Sequence, residues 1–218
     1  MDERTLRARM LLGEDAMEKL KRSHVAVFGL GGVGSWCAEA LARSGVGTLT
    51  LIDQDTAGES NINRQLCAAE STLGLPKAEI MKARALDINP NIDVRAIIGT
   101  YNAEHREGFF APYDYIVDAI DLVSCKLDLI ETAKARSIPI ISSLGTGNKK
   151  DASLLQICDI KKTSGCPLAR VMRKELRARG INELTVVFSP EESMECEQLE
   201  APPPGRRSVT GSLIGVPA

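Results

Sequence analysis

The residues of this 218-residue chain whose types and spacing can do chemistry begin with a glycine run, Gly29-Leu30-Gly31-Gly32-Val33-Gly34. Glycines let a backbone approach a phosphate closely, and a helix start offers N–H groups and a positive dipole end to an anion. Asp53 stands 19 positions after Gly34, the place from which a carboxylate reaches ribose hydroxyls. Together they indicate a nucleotide site, against the plainer alternative of tight helix–strand packing with no ligand.

The glycines do not choose between NAD and ATP, so the choice falls to the residues after Asp53. The segment from Gln54 to Gln65 is dense in polar groups, among them Asp55, Asn61 and Asn63, and contains one guanidinium, Arg64. Arg64 has the fork geometry for phosphate oxygens, and Lys77, just after Gly74-Leu75-Pro76, adds a second cation. Two cations beside a phosphate loop favour a triphosphate; the alternative is an arginine capping a turn and a lysine in a solvated first helical turn. Farther on, Asp118 and Asp121 fall where a strand gives way to a helix. Asp121 is either the N-cap of that helix or a ligand that completes a Mg²⁺ site with phosphate oxygens and water. The cations already placed favour the metal role.

These side chains need elements to hold them. The short, nearly continuous apolar runs His24 to Phe28 and Thr48 to Ile52 read as strands buried on both faces of a parallel sheet, with a helix from Val33 to Arg43 between them. The alternation continues with a helix over Lys77 to Ile88, strands over Val94 to Ile98 and Tyr115 to Ile120, a helix over Leu122 to Arg136 and a strand over Pro139 to Ser143. This predicts an α/β, Rossmann-like, doubly wound, mainly parallel sheet. Strands over Leu154 to Ile160 and Leu184 to Phe188, flanking a helix from Pro167 to Arg179, extend it in antiparallel fashion in the C-terminal part.

Composition agrees with this reading: 44% of residues are apolar but only 4% aromatic, so Val, Ile, Leu and Ala must fill the core. The charge balance of −2 excludes a uniformly basic coat but not a local patch. Residues 161 to 180 hold seven basic side chains against one acidic, and Arg170, Arg173, Lys174 and Arg177 are expected to face away from a buried line of Leu168, Met172 and Leu176. Such a face suits phosphates. Residues 191 to 200 hold five glutamates and no base, followed by Pro202-Pro203-Pro204-Gly205-Arg206-Arg207, which reads as a mobile crossover loop. The six cysteines form no Cys-x-x-Cys pair, which argues against a paired-knuckle zinc site. Cys166, after Gly165 at a helix start, has no evident histidine partner, His24 and His105 reading as structural or solvated. No signal peptide or membrane segment is visible, so a cytoplasmic location is expected.

Taken together, the glycine run, Asp53-x-Asp55, Ser60-Asn61-x-Asn63-Arg64-Gln65, Gly74-x-Pro76-Lys77 and Asp118-x-x-Asp121 resemble the ThiF/MoeB superfamily of ATP-dependent adenylating enzymes, from about Arg7 to Asp159. The resemblance implies a single adenylating domain over 1–218, with a helical arm (1–22), a nucleotide-binding core (23–148), a sheet extension carrying the basic helix (149–190) and the loop and tail (191–218). It implies that Gly29, Gly31, Gly32, Gly34, Asp53, Asp55, Asn61 and Asn63 hold ATP, that Arg64 and Lys77 contact its phosphates, and that Asp121 binds Mg²⁺. An N-terminal arginine donated across a homodimer falls on Arg7, with Arg9 two residues away. Within the superfamily, Ile160 to Arg173 and Pro203 to Ser208 are similar to the tRNA threonylcarbamoyladenosine dehydratase branch. That branch implies ATP-dependent cyclisation of the modified adenosine, a tRNA partner on the basic helix, a sulfurtransferase partner and a further apolar helix after the point where this chain stops, which would make the chain a truncated one. The competing readings are an adenylyltransferase for the Gly-Gly terminus of a ubiquitin-like sulfur carrier, a non-enzymatic nucleotide-binding regulator and an NAD dehydrogenase.

Overall fold

The structure, a computed structural model, describes residues 3–199. These fall into two compact units divided after Ile141.

In the first unit, β1 (His24–Phe28) lies between β2 (Thr48–Asp53) and β4 (Tyr115–Asp118), parallel to both, and β3 (Asp93–Ile98) runs parallel to β2. With β5 (Ile140–Ser143), which spans the division, the order is β3-β2-β1-β4-β5. Four of the five β1 residues are buried, as a strand covered on both faces requires. Side chains alternate across it: Val25 and Val27 join Leu49, Leu51 and Val117 in a core with Ala38 and Ala42 of α3 (Gly34–Arg43) and Ala78, Met81 and Ala85 of α4 (Lys77–Ile88). Phe28, on the other face, meets the Tyr101 ring edge-on at 5.3 Å. α5 (Val123–Ala135) supplies buried Leu127, Leu129 and Ile130. Ahead of β1, α1 (Leu6–Leu12) and α2 (Glu14–Arg22) are joined at Gly13, where φ is +83°.

In the second unit the Leu144 N–H, just after β5, donates to the carbonyl of Val187, and the strand order is β5-β7-β6. β6 (Gln156–Asp159) and β7 (Thr185–Phe188) are antiparallel, with Gln156 opposite Phe188 and Asp159 opposite Thr185. The expected strand from Leu154 starts later, because the Asp151 carboxylate accepts the Ser153 N–H and winds residues 152–154 into a short turn. α6 (Pro167–Ala178) has proline at its first position. Its buried line is Ala169, Met172 and Leu176, with Leu168 only half-buried. Residues 191–199 form no helix or strand, yet the Glu191 carboxylate accepts the N–H groups of Lys150 and Asp151, and the Met194 N–H donates to the Asn148 carbonyl. Glu200, the proline run, Arg206 and Arg207 lie outside the described residues.

Candidate functional site

The order β3-β2-β1-β4-β5 reverses direction between β1 and β4, and Phe28 at the end of β1 is in register with both Ile52 and Asp118. The crevice beyond the carboxyl ends of two such strands is where open α/β sheets bind ligands. The glycine run leaves β1 at this point and divides into two jobs. Gly29 has φ of +87°, and a Cβ there would stand 2.6 Å from the carbonyl oxygen of Ala119; one on Gly34 would stand 1.8 Å from the carbonyl oxygen of Gly29. Gly29 lets the end of β1 lie against the turn that follows β4, and Gly34 lets the start of α3 pack on the end of β1. A Cβ on Gly31 would meet only Nε2 of Gln65, at 3.9 Å, so the loop is open there, while Gly32 is buried. Val33, the N-cap of α3, brings no capping side chain, which suits a helix start facing an anion.

The loop is tied from both sides. Asp53 accepts the Leu30 N–H on Oδ2 at 2.6 Å and the Asp55 N–H on Oδ1 at 2.8 Å. Ser35 donates from Oγ to the Gly31 carbonyl and accepts the Leu66 N–H. The Cys67 thiol donates to the Leu30 carbonyl, and burial pushes its pKa up. Asp53 therefore sets the glycine loop with its carboxylate as well as standing at the position expected of a ribose ligand.

Residues 55–57 run antiparallel against 74–77: the Ala57 N–H donates to Leu75, the Lys77 N–H to Asp55, and Thr56 bridges Pro76. That pairing lays Lys77, the first residue of α4, against Asp55, Nζ to Oδ2 at 3.2 Å. The Lys77 side chain is only 6% exposed while Asp55 is 56% exposed, so the solvated-lysine alternative does not hold. A buried ammonium held by one exposed carboxylate is a cation that an incoming phosphate can share. Arg64 donates from NH1 to the Ser60 carbonyl and to Oδ1 of Asn63, and its own carbonyl accepts the Trp36 indole N–H from α3. Asn61 accepts the Gly58 N–H and shapes the turn before it.

At the end of β4 the two aspartates part. Asp118 is fully buried and pairs with Lys126 of α5, Nζ to Oδ2 at 2.9 Å. Asp121 is exposed, and the N-cap of α5 is Leu122 with no side-chain cap, which corrects the N-cap alternative for Asp121. Among the described residues no cluster of three or more His, Cys, Asp or Glu could hold a metal. A single exposed carboxylate does not make a metal site by itself; it could serve only an ion that brings most of its own ligands, as Mg²⁺ does with water and phosphate oxygens. Lys126 is a residue that motif spacing does not single out. Its signal is a lysine in register with Leu129, Ile130 and Ala133, a core stripe at helical spacing.

Arg170, Lys174 and Arg177 are exposed on α6. Arg173 differs from the expectation that it faces away: its NH1 turns in to donate to the carbonyl of Thr163 at 2.8 Å and to its Oγ1 at 2.6 Å. Cys166 is buried as the N-cap of α6, its sulfur accepting the Ala169 N–H. Arg7 is exposed on α1, whereas Arg9 pairs with Glu14 at 3.3 Å. His24 bonds Thr50 through Nε2 and meets the Tyr113 ring edge-on, and His105 bonds Asn102; neither lies with the site residues.

With this geometry in place, likeness to known proteins becomes informative. The chain is 48% identical over 187 residues to tRNA threonylcarbamoyladenosine dehydratase of Bacillus subtilis, covering 85% of this chain and 74% of that protein. It is 43% identical to the protein of the same name from Haemophilus influenzae, covering 75% of this chain and 63% of that one, so it spans less than two thirds of that relative's length. The crystal structure of Escherichia coli tRNA N6-threonylcarbamoyladenosine dehydratase in complex with ATP superposes with a TM-score of 0.88 at 34% identity, covering 98% of this chain and 87% of that one. The model of the ThiF family matches residues 3–190, which include the glycine run, Asp53, Arg64, Lys77 and Asp121; the chain belongs to the ThiF family.

Proposed function

We propose that this chain is an ATP-dependent tRNA threonylcarbamoyladenosine dehydratase. The observation that carries the reading is the open backbone at Gly31 together with the buried ammonium of Lys77, whose partner Asp55 is tied through Asp53 to the glycine run, in a chain that superposes on an ATP-bound dehydratase. A carboxylate resists attack because oxide is a poor leaving group. In the first step a carboxylate oxygen of the modification attacks the α-phosphorus of ATP, a P–O bond forms, and the bond to pyrophosphate breaks. In the second, a nitrogen or oxygen of the same modification attacks the activated carbonyl and gives up its proton to solvent, the ring closes, and AMP leaves with the former carboxylate oxygen. The net change to the nucleoside is loss of one water. Intramolecular attack in a well-oriented pair has an effective molarity of about 10⁵ M or more, so the protein's second task is chiefly to hold the chain ends in place.

In this reading the glycine loop and Asp53 hold the nucleotide, with Asp55, Asn61 and Asn63 bordering it. Lys77 leaves Asp55 for the phosphates, and Arg64 turns its guanidinium from Ser60 to the same charge, which builds as pyrophosphate departs. Asp121 would hold Mg²⁺ that arrives with ATP, and the ion would supply further charge neutralisation. Arg7 reaches the phosphates of a second copy in a homodimer, and Arg170, Lys174 and Arg177 meet the tRNA backbone. A sulfurtransferase partner and a cytoplasmic site of action complete the proposal. No described helix is long and apolar enough to cross a membrane.

The test is incubation with ATP, Mg²⁺ and tRNA carrying threonylcarbamoyladenosine, followed by nucleoside mass spectrometry. The expected product lacks one water; an unchanged nucleoside with turnover on a Gly-Gly peptide would move the reading to sulfur-carrier activation. Lys77→Ala should slow ATP–pyrophosphate exchange by about 100-fold, the scale of losing one preorganised charge contact, while tRNA affinity stays within about twofold.

A further inference from the structure

The Asp118–Lys126 pair is the most deeply buried charge in the first unit, both side chains being 0% exposed. Neither residue has a place in the chemistry above. A buried ion pair is a poor source of net stability, because desolvation offsets its Coulomb attraction and an apolar pair of similar volume often does as well. What these two groups do with their remaining bonds is therefore informative. Oδ1 of Asp118 accepts the N–H of Ile120 at 3.1 Å, and Nζ of Lys126 donates to the carbonyl of Ile120 at 3.0 Å. Both backbone groups of one residue are thus gripped by one ion pair. The neighbours of Ile120 connect this turn to the glycine run and to an exposed carboxylate. On one side the Ala119 N–H donates to Phe28, and the Ala119 carbonyl oxygen stands against Gly29, within 2.6 Å of where a Cβ would be. On the other side the next residue is Asp121.

We infer that Lys126 is a positioning residue: with Asp118 it fixes the peptide of Ile120, and so holds the Asp121 carboxylate at the mouth of the glycine loop. The inference rests on the reading of Asp121 as the ligand of the cation that accompanies ATP. The ion pair supplies what an apolar pair cannot, a donor and an acceptor aimed at one backbone unit in the dry interior, where each bond is directional and costly to leave unmade. Lys126 acts through Asp121 and touches neither nucleotide nor tRNA.

The experiment compares Lys126→Met, Asp118→Asn/Lys126→Met and Asp121→Asn with the parent protein. Three readouts are used: amide hydrogen exchange of the segment 117–123, Mn²⁺ affinity by electron paramagnetic resonance in the presence of the non-hydrolysable analogue α,β-methylene-ATP, and AMP affinity without metal. The double variant leaves no uncompensated charge, so it is the second test should the single lysine variant fail to fold. In the lysine variants the segment should exchange at least tenfold faster and Mn²⁺ should bind at least tenfold more weakly, with AMP affinity within threefold. A lowered melting temperature with Mn²⁺ affinity unchanged in the lysine variants, while Asp121→Asn loses tenfold or more, overturns the inference alone. Unchanged Mn²⁺ affinity in Asp121→Asn overturns the cation reading beneath it. If neither lysine variant folds, the pair serves the whole sheet rather than this turn, and the inference also fails.

Discussion

At the scale of the residue, the glycines separate into those that the fold needs and one, Gly31, that the packing leaves open. Gly29 combines a positive φ with a backbone oxygen where its side chain would go, so Gly29→Ala should lower stability by about 2 kcal/mol or more, read by denaturant unfolding. Gly31→Ala meets no such obstacle. It should change stability by less than about 0.5 kcal/mol, the range of substitutions that disturb no packing, yet weaken ATP binding by about tenfold as the methyl enters the phosphate path. Equal damage from both would mean that Gly31 also serves packing. Lys77 makes the same point from the side of charge: a lysine is placed in the interior, and its ion-pair partner Asp55 is exposed enough to be exchanged for phosphate.

At the scale of the element, α3 and α4 are joined by Glu39, whose carboxylate takes Arg84 of α4 at 2.5 Å and Arg43 of its own helix at 2.6 Å. Burial opposes ionisation of Glu39, but the hydrogen bonds and charges of Arg84 and Arg43 outweigh it, so its pKa is lowered. A carboxyl with a depressed folded-state pKa contributes stability above its unfolded value, about 4.3, and loses it as pH falls through the folded value. The stability gap between the parent and Glu39→Gln should therefore be widest near neutral pH, at about 1 kcal/mol for a pair whose arginines are half in solvent, and close below pH 4. A gap that stays constant under acid would remove the charge from the account. On α6 the same helix carries two kinds of arginine. Reversing Arg170 and Arg177 to Glu should weaken tRNA binding by more than about tenfold and flatten its salt dependence, as loss of phosphate contacts does. Arg173→Ala should act on folding instead, at about 1 to 3 kcal/mol, because its donors satisfy Thr163.

At the scale of the whole molecule, ATP with Mg²⁺ should stabilise the folded chain by mass action. At 100 times its dissociation constant the gain is about 2.7 kcal/mol, which for a chain of this size raises the melting temperature by about 5 to 10 °C. NAD at the same concentration should raise it by less than about 1 °C. A shift with NAD and none with ATP would return the chain to the dehydrogenase reading.

The alternation of apolar strands and amphipathic helices was legible because period and length are local properties: the parallel strands β1 to β4 and the antiparallel pair β6 and β7 agree with the arrangement expected from it. The glycine run, Asp53 and the two cations were legible as types at fixed spacings. Their division of labour was not. That Gly29 and Gly34 pack while Gly31 stays open depends on Ala119 and Gln65, distant in sequence and adjacent only once β1 and β4 pair. Asp118 and Asp121 look alike as two carboxylates three residues apart; the end of β4 sends one into the core and leaves the other in solvent. Lys126 on its apolar stripe carried a signal, but its meaning needed the buried aspartate opposite. The sequence determined which elements form and which chemical groups are available, because propensity and patterning act within a few residues. The tertiary structure alone decided which charges are buried and which face the crevice, because desolvation depends on everything packed around a group and not on its neighbours along the chain.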